Sequence, residues 1–250
     1  IENVTADFTV DKTFSPCPPL VCIFSSTANK PIAKYFWDFG DGGTDTSANP
    51  THIYFYPGIY TVSMAVKTTG GCVDTVVYPH LIEVQGPSGV FNATPTIGCI
   101  PLSTIFTATI SSNTQNMWCD MGDGTIIPDS LSLIHNYSNV GVYHPQFIVV
   151  DHVGCTVSYH LPPIQTHLPP ILHLKDTSVC AGSVIHIANL GTDQYKWNTS
   201  PDISCDTCAA PLITPSATGA YIVTATSPYC SVSDTMNVFV DPMPVLHDSS

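Results

Sequence analysis

Alternation is the dominant pattern along this chain. Tyr60, Val62, Met64 and Val66 alternate with Thr61, Ser63, Ala65 and Lys67, the two-residue period of a half-buried strand. Further on, Tyr143, Pro145, Phe147 and Val149 share one face. A proline cannot donate a ladder hydrogen bond, so Pro145 predicts an edge position or a bulge. Val21–Phe24, Thr75–Val77, Ile105–Thr109 and Ile222–Thr226 read as further strands, and no segment carries a convincing helical period. About seven short strands per unit with frequent turns predict β-sandwiches.

The pattern is written twice. Tyr35-Phe36-Trp37-Asp38-Phe39-Gly40-Asp41-Gly42 is matched by Asn116-Met117-Trp118-Cys119-Asp120-Met121-Gly122-Asp123-Gly124. Cys17, Leu20 and Phe24 upstream repeat as Cys99, Leu102 and Phe106. Downstream, His52, Tyr54, Gly58, Tyr60 and Gly71-Cys72 repeat as His135, Tyr137, Gly141, Tyr143 and Gly154-Cys155. The offset is 82 residues up to the turn and 83 after it. Such a repeat marks an array of small domains, which more often spaces or presents something than houses one active site. Residues 1–86, 87–168 and 169–250 are the three expected domains, joined by short Pro-containing linkers that predict an end-to-end rod. The third lacks the Gly-Asp-Gly turn and places Trp197 between Cys180 and Cys230, the spacing logic of an immunoglobulin-like sandwich.

Composition narrows the function. The chain has 19 acidic residues, six lysines and no arginine, for a net charge of −13. Arginine is the main bidentate reader of phosphate and guanine, so nucleic acid is excluded as a partner. No run reaches the length of a membrane span, and Ile1 opens directly into domain sequence without a signal peptide, the expectation for a mature product or an excerpt. Ten cysteines, several at copied positions, predict a disulfide framework and an extracellular compartment.

Trp37-Asp38-Phe39-Gly40-Asp41-Gly42, followed by Pro50-Thr51-His52-Ile53-Tyr54 and Gly58-Ile59-Tyr60-Thr61-Val62, resembles the polycystic-kidney-disease (PKD) domain family. The second unit resembles it more loosely, with Cys119 in the tryptophan position and Met121 in that of the phenylalanine. The resemblance implies tandem immunoglobulin-like β-sandwiches without catalytic activity, serving spacing and protein or glycan contact. The Gly-Cys pairs and the third unit's Cys-Asp-Thr-Cys look like secreted surface proteins of gliding Bacteroidota, typically adhesins.

Each candidate chemistry has a structural reading beside it. The glycines of the Gly-Asp-Gly turns tolerate positive φ, and Asp38, Asp41, Asp120 and Asp123 can bond nearby backbone N–H groups. The functional alternative makes these carboxylates calcium ligands. Their spacing lacks the density of a dedicated loop, so no cofactor is expected. His52 and His135 beside Tyr54 and Tyr137 predict core hydrogen-bond networks, since no nucleophile repeats with them. Trp37, Trp118 and Trp197 are expected in cores rather than on a glycan platform.

Among the cysteines, the copied pairs predict Cys17–Cys72 and Cys99–Cys155, with Cys180–Cys230 in the third unit; Cys22 with Cys72 is the alternative. Cys205-x-x-Cys208 could serve zinc, redox chemistry or a small ring, and a short disulfide is expected because a second ligand pair and a βαβ setting are missing. Cys22 and Cys119 are expected as buried free thiols. Asn3, Asn92, Asn136 and Asn198 lie in N-glycosylation sequons. Thr75, Ser130 and Thr235 sit in triplets that resemble an O-glycosylation motif of Bacteroidota secreted proteins. The functional expectation is a non-catalytic stalk segment of a bacterial cell-surface adhesin or filament protein, with neighbouring domains or further copies as partners. The alternatives are a glycan- or protein-binding module, or accessory domains of a secreted hydrolase.

Overall fold

The computed structural model describes residues 3–241 apart from 189 and 192; the outermost domain bounds, residues 1 and 250, lie outside the described residues. Every regular element among them is a strand. The chain divides into two compact units: residues 1–93, 105–133 and 144–162 form one, and 94–104, 134–143 and 163–250 the other.

The first unit contains the sandwich of the first repeat. Its strands are β1 (Ala6–Val10), β2 (Phe14–Ser15), β3 (Leu20–Ala28), β4 (Ile32–Asp38), β5 (Thr44–Asp45), β6 (Thr51–Tyr54), β7 (Gly58–Thr68) and β8 (Val73–Val84). They form a three-stranded sheet β1-β3-β6 and a five-stranded sheet β2-β8-β7-β4-β5. The alternation in β7 does what its period predicts. Val62, Met64 and Val66 are buried, and with Phe8, Phe24, Trp37, Phe39, Tyr54 and Ile82 they fill the space between the sheets. Phe24 and Trp37 lie 5.5 Å apart, and Phe8 meets Trp37 edge-on at 5.0 Å. Each such aromatic pair adds about 0.5–1.5 kcal/mol beyond its buried area. β2 runs parallel to β8, with Ser15 opposite Val84, whereas β7 and β8 form a long antiparallel hairpin in which Lys67 faces Val73.

The same unit holds a four-stranded sheet of Ile126–Pro128, Thr114–Asp120, Gln146–Asp151 and Thr156–His160, in that order. Met117 and Cys119 point into the protein and are buried. Trp118, one residue out of phase, is only half-buried, because successive side chains of a strand face opposite ways. The expectation of a core Trp118 is corrected accordingly. The run through Pro145 is also broken: one strand ends at Tyr143 and another begins at Gln146, so the proline separates two strands rather than bulging one.

In the second unit Ile97–Cys99, Ile164–His167 and Gly141–Tyr143 make one small sheet. Thr177–Cys180, Ser231–Asp241, Gly219–Thr226 and Gln194–Trp197 make a four-stranded one, and a short Ile185–His186/Leu212–Ile213 pair lies beside them. Its core comprises Tyr195, Trp197, Ile213, Tyr221, Val223, Ala225, Met236 and Val238. The protein is all-β, built of immunoglobulin-like β-sandwiches.

Candidate functional site

The Gly-Asp-Gly turn connects β4 to β5. Asp38 Oδ1 accepts the Gly40 N–H and Asp41 Oδ1 the Gly43 N–H, both at 2.9 Å. Asp120 and Asp123 do the same for Gly122 and Thr125, again at 2.9 Å. Gly40 and Gly122 have φ of 81° and 78°. A Cβ on Gly40 would sit 2.4 Å from the Thr61 carbonyl oxygen, and one on Gly122 2.7 Å from the His144 nitrogen. Only glycine lets each turn approach the neighbouring backbone so closely.

His52 completes the first turn. Its Nε2 lies 2.8 Å from Asp41 Oδ2, and its ring stacks on Phe39 with 4.0 Å between centroids. Tyr54, edge-on to His52 at 4.7 Å, donates its buried hydroxyl to the Phe39 carbonyl oxygen at 3.1 Å. His135 and Tyr137 keep the same edge-on geometry at 4.7 Å. Through this carboxylate–imidazole pair, Asp41 of the turn is held to His52 of β6. Among the described residues no three His, Cys, Asp or Glu side chains converge as a metal site.

The cysteines depart from expectation. The disulfides are Cys17–Cys155, Cys99–Cys230 and Cys205–Cys208. Cys72 and Cys180 are free and exposed, whereas Cys22 and Cys119 are free and buried. The pairings Cys17–Cys72, Cys99–Cys155 and Cys180–Cys230 are therefore corrected, as is the alternative Cys22–Cys72. Strand direction supplies the reason. Cys17 follows Ser15, which pairs with Val84 at one end of β8, while Cys72 precedes Val73 at the other end. Twelve strand residues span on the order of 35–40 Å, whereas a disulfide needs Cα atoms about 4.4–6.8 Å apart. Cys180 pairs with Asp241 at the far end of the strand that Cys230 precedes, so the same distance separates them. The repeat revealed which cysteines are equivalent, not which meet.

The Cys205–Cys208 ring has a definite task. Buried Trp197 donates its indole N–H to the Cys208 carbonyl oxygen at 3.0 Å, and its backbone N–H to that of Asp206 at 2.7 Å. Lys196 pairs with the Asp206 carboxylate alongside. Trp37 solves the same problem without a ring, donating to the Ser47 carbonyl oxygen at 2.9 Å.

An aromatic-lined cleft lies beside the Cys17–Cys155 bridge. Its volume is about 310 Å³, and its lining includes Pro18, Pro19, Phe55, Tyr56, Ser158 and His160. Phe55 is 62% exposed, and Tyr56 stacks on Tyr159, 5.3 Å away. Tyr159 in turn packs on Phe91 at 4.8 Å and donates to the Pro87 carbonyl oxygen; burial pushes its hydroxyl pKa up to about 12. Sequence reasoning missed this cleft. The available signal was Phe55-Tyr56-Pro57, consecutive aromatics in the loop between β6 and β7, where no core can take both.

Residues 5–80, which hold the first sandwich and its Gly-Asp-Gly turn, match the PKD domain family. A stretch of 47 residues is 47% identical to Collagenase ColA of Bacillus cereus, covering 19% of this chain and 5% of that protein. Another of 62 residues is 39% identical to a microbial collagenase of Vibrio alginolyticus, covering 25% and 8%. The chain thus spans less than a tenth of the length of these curated relatives. A titin I-band fragment, I67–I69, aligns over 96% of this chain and 99% of its own at 13% identity and a TM-score of 0.34, too weak a likeness to carry an argument. No helix among the described residues is long and apolar enough to cross a membrane.

Proposed function

We propose that these residues are non-catalytic accessory modules of a secreted bacterial hydrolase, holding an insoluble polymer for a catalytic domain elsewhere in the protein. The observation that carries this reading is the match of residues 5–80 to a domain family whose similar stretches here lie in collagenases. The cleft at Phe55 and Tyr56 is the surface assigned to the polymer. Exposed aromatic faces beside prolines and hydroxyls suit a chain that is apolar along one side and hydrogen-bonding along the other.

Co-sedimentation with insoluble collagen and with insoluble polysaccharide tests the proposal. The wild-type chain is expected to sediment with one of them without releasing soluble product, and Phe55→Ala is expected to stay in the supernatant. A chain that sediments with neither, or whose binding survives Phe55→Ala and Tyr56→Ala together, overturns it.

One observation favours a second reading, a stalk segment at the bacterial cell surface. Two disulfides join cysteines 138 and 131 residues apart, each in a different repeat, and this is the covalent bracing a load-bearing spacer uses. On that reading the chain binds no polymer, and its partners are neighbouring domains or further copies.

A further inference from the structure

The two long disulfides obey one rule, and two exposed cysteines stand where the rule would continue. Six cysteines fall into two structural kinds. The first kind sits at or just past a strand that runs parallel to the last strand of its own repeat. Cys17 follows β2, which pairs with the end of β8; Cys99 pairs with His167 and Cys180 with Asp241. Local hydrogen bonding repeats too: Ile100 N–H donates to the His167 carbonyl oxygen at 3.0 Å, and Ala181 N–H to that of Asp241 at 3.1 Å.

The second kind closes the hairpin turn before the last strands. The carbonyl oxygen of Cys72 accepts the Thr68 N–H at 2.9 Å, that of Cys155 the Asp151 N–H at 3.1 Å, and that of Cys230 the Ser227 N–H at 2.8 Å. Cys72 and Cys155 share further detail, since Gly71 and Gly154 donate back to the residue that opens each turn.

Both long disulfides join a strand-end cysteine of one repeat to the turn cysteine of the next: Cys17 to Cys155, and Cys99 to Cys230. The bonded turn cysteines are buried, at 6% and 3% exposure, whereas Cys72 is exposed. Cys180, a strand-end cysteine, is exposed as well. One position of each kind is thus left open.

We propose that Cys72 and Cys180 are coupling sites, Cys180 for the turn cysteine of another β-sandwich repeat of this kind and Cys72 for the strand-end cysteine of another. The partner repeat belongs either to a longer form of this chain or to a second copy; the chemistry is shared. A small-molecule disulfide serves as the oxidant. The Cys72 thiolate attacks it, forming a mixed disulfide and releasing one small thiolate. The incoming strand-end thiolate then attacks Cys72 Sγ, forming the Sγ–Sγ bond and expelling the second small thiolate. Two thiol protons and two electrons leave the cysteines, and the oxidant becomes two thiols. The same two steps serve Cys180. This ladder is independent of what the segment binds, so it stands or falls apart from the polymer-holding role.

Complementary variants test it. Cys72→Ser keeps the strand-end thiol, and Cys180→Ser keeps the turn thiol. Each is incubated with oxidised glutathione alone and then together. The mixture is expected to give a covalent dimer many-fold faster than either variant alone, with a Cys72–Cys180 peptide on non-reducing mass mapping. Equal rates in all three incubations, or thiols that stay capped by glutathione, overturn the proposal. Mapping the protein secreted by its own host separates the two sources. A Cys180–Cys72 peptide identifies a second copy, a Cys180 peptide joined to a turn cysteine outside this sequence identifies a longer chain, and both support the ladder. Free thiols at both positions refute it.

Discussion

Replacing Gly40 with alanine tests the turn geometry most sharply, because two effects superpose there and a neighbouring glycine separates them. Gly40 has φ of 81°, and a Cβ on it would meet the Thr61 oxygen at 2.4 Å. Thr61 is the residue skipped at the irregularity between Tyr60 and Val62 in the β7–β8 ladder, and its two chain neighbours are held in register by Ile82 and Tyr78 of β8. The left-handed backbone costs an alanine about 1–2 kcal/mol. Moving the Thr61 backbone to make room adds about 1–3 kcal/mol, as overpacking does elsewhere. Gly42 has φ of 91° but nothing within 4 Å of its Cβ position, so Gly42→Ala carries the backbone cost alone. Urea unfolding of the two variants should place Gly40→Ala below Gly42→Ala by about 1–3 kcal/mol, with unchanged slopes. Equal losses would refute the close approach, and no loss at Gly42 would refute the left-handed turn.

Three further outcomes follow from residues already described. A water-soluble maleimide should label Cys72 and Cys180 in the native protein, and Cys22 and Cys119 only after unfolding, because burial pushes their thiols up to about 11 and about 12; native labelling of Cys119 would contradict its buried position. Cys205→Ser with Cys208→Ser should cost about 1–3 kcal/mol by loosening the carbonyl that satisfies the buried Trp197 indole, and should shift tryptophan emission to the red. Asp7, held below the ordinary aspartate value of 3.8 by the Tyr78 hydroxyl, and Asp206, held below it by Lys196, stabilise the fold above that value and lose the contribution as pH falls through their folded pKa values. Asp7→Asn should therefore flatten the acid limb of a urea-midpoint profile, and an unchanged limb would count against the Asp7–Tyr78 contact.

Local features proved legible where one residue's neighbours along the chain decide its environment. The β7 alternation identified Val62, Met64 and Val66 as core, and the doubled Gly-Asp-Gly turn identified its own hydrogen bonds. Trp118 was misjudged because parity, not residue type, sets which face a strand residue takes; Met117 and Cys119 hold the inner face there. The cysteine pairing depended on which end of a strand each residue occupies, and that follows from the parallel return of β2 along β8, a long-range pairing that copying cannot reveal. The cleft was invisible for a similar reason, since Phe55 and Tyr56 meet Ser158 and His160 only in the folded chain.

The spans of the two long disulfides interleave: Cys99 lies between Cys17 and Cys155, and Cys155 between Cys99 and Cys230. A single cut of the backbone anywhere from residue 17 to residue 230 therefore falls inside at least one closed loop. The short connections Gln85–Ser88 and Leu168–Pro170, which lie between strands, are both enclosed. A nicked molecule keeps its pieces joined until it is reduced, so damage that would sever an ordinary string of domains leaves this one still tethered.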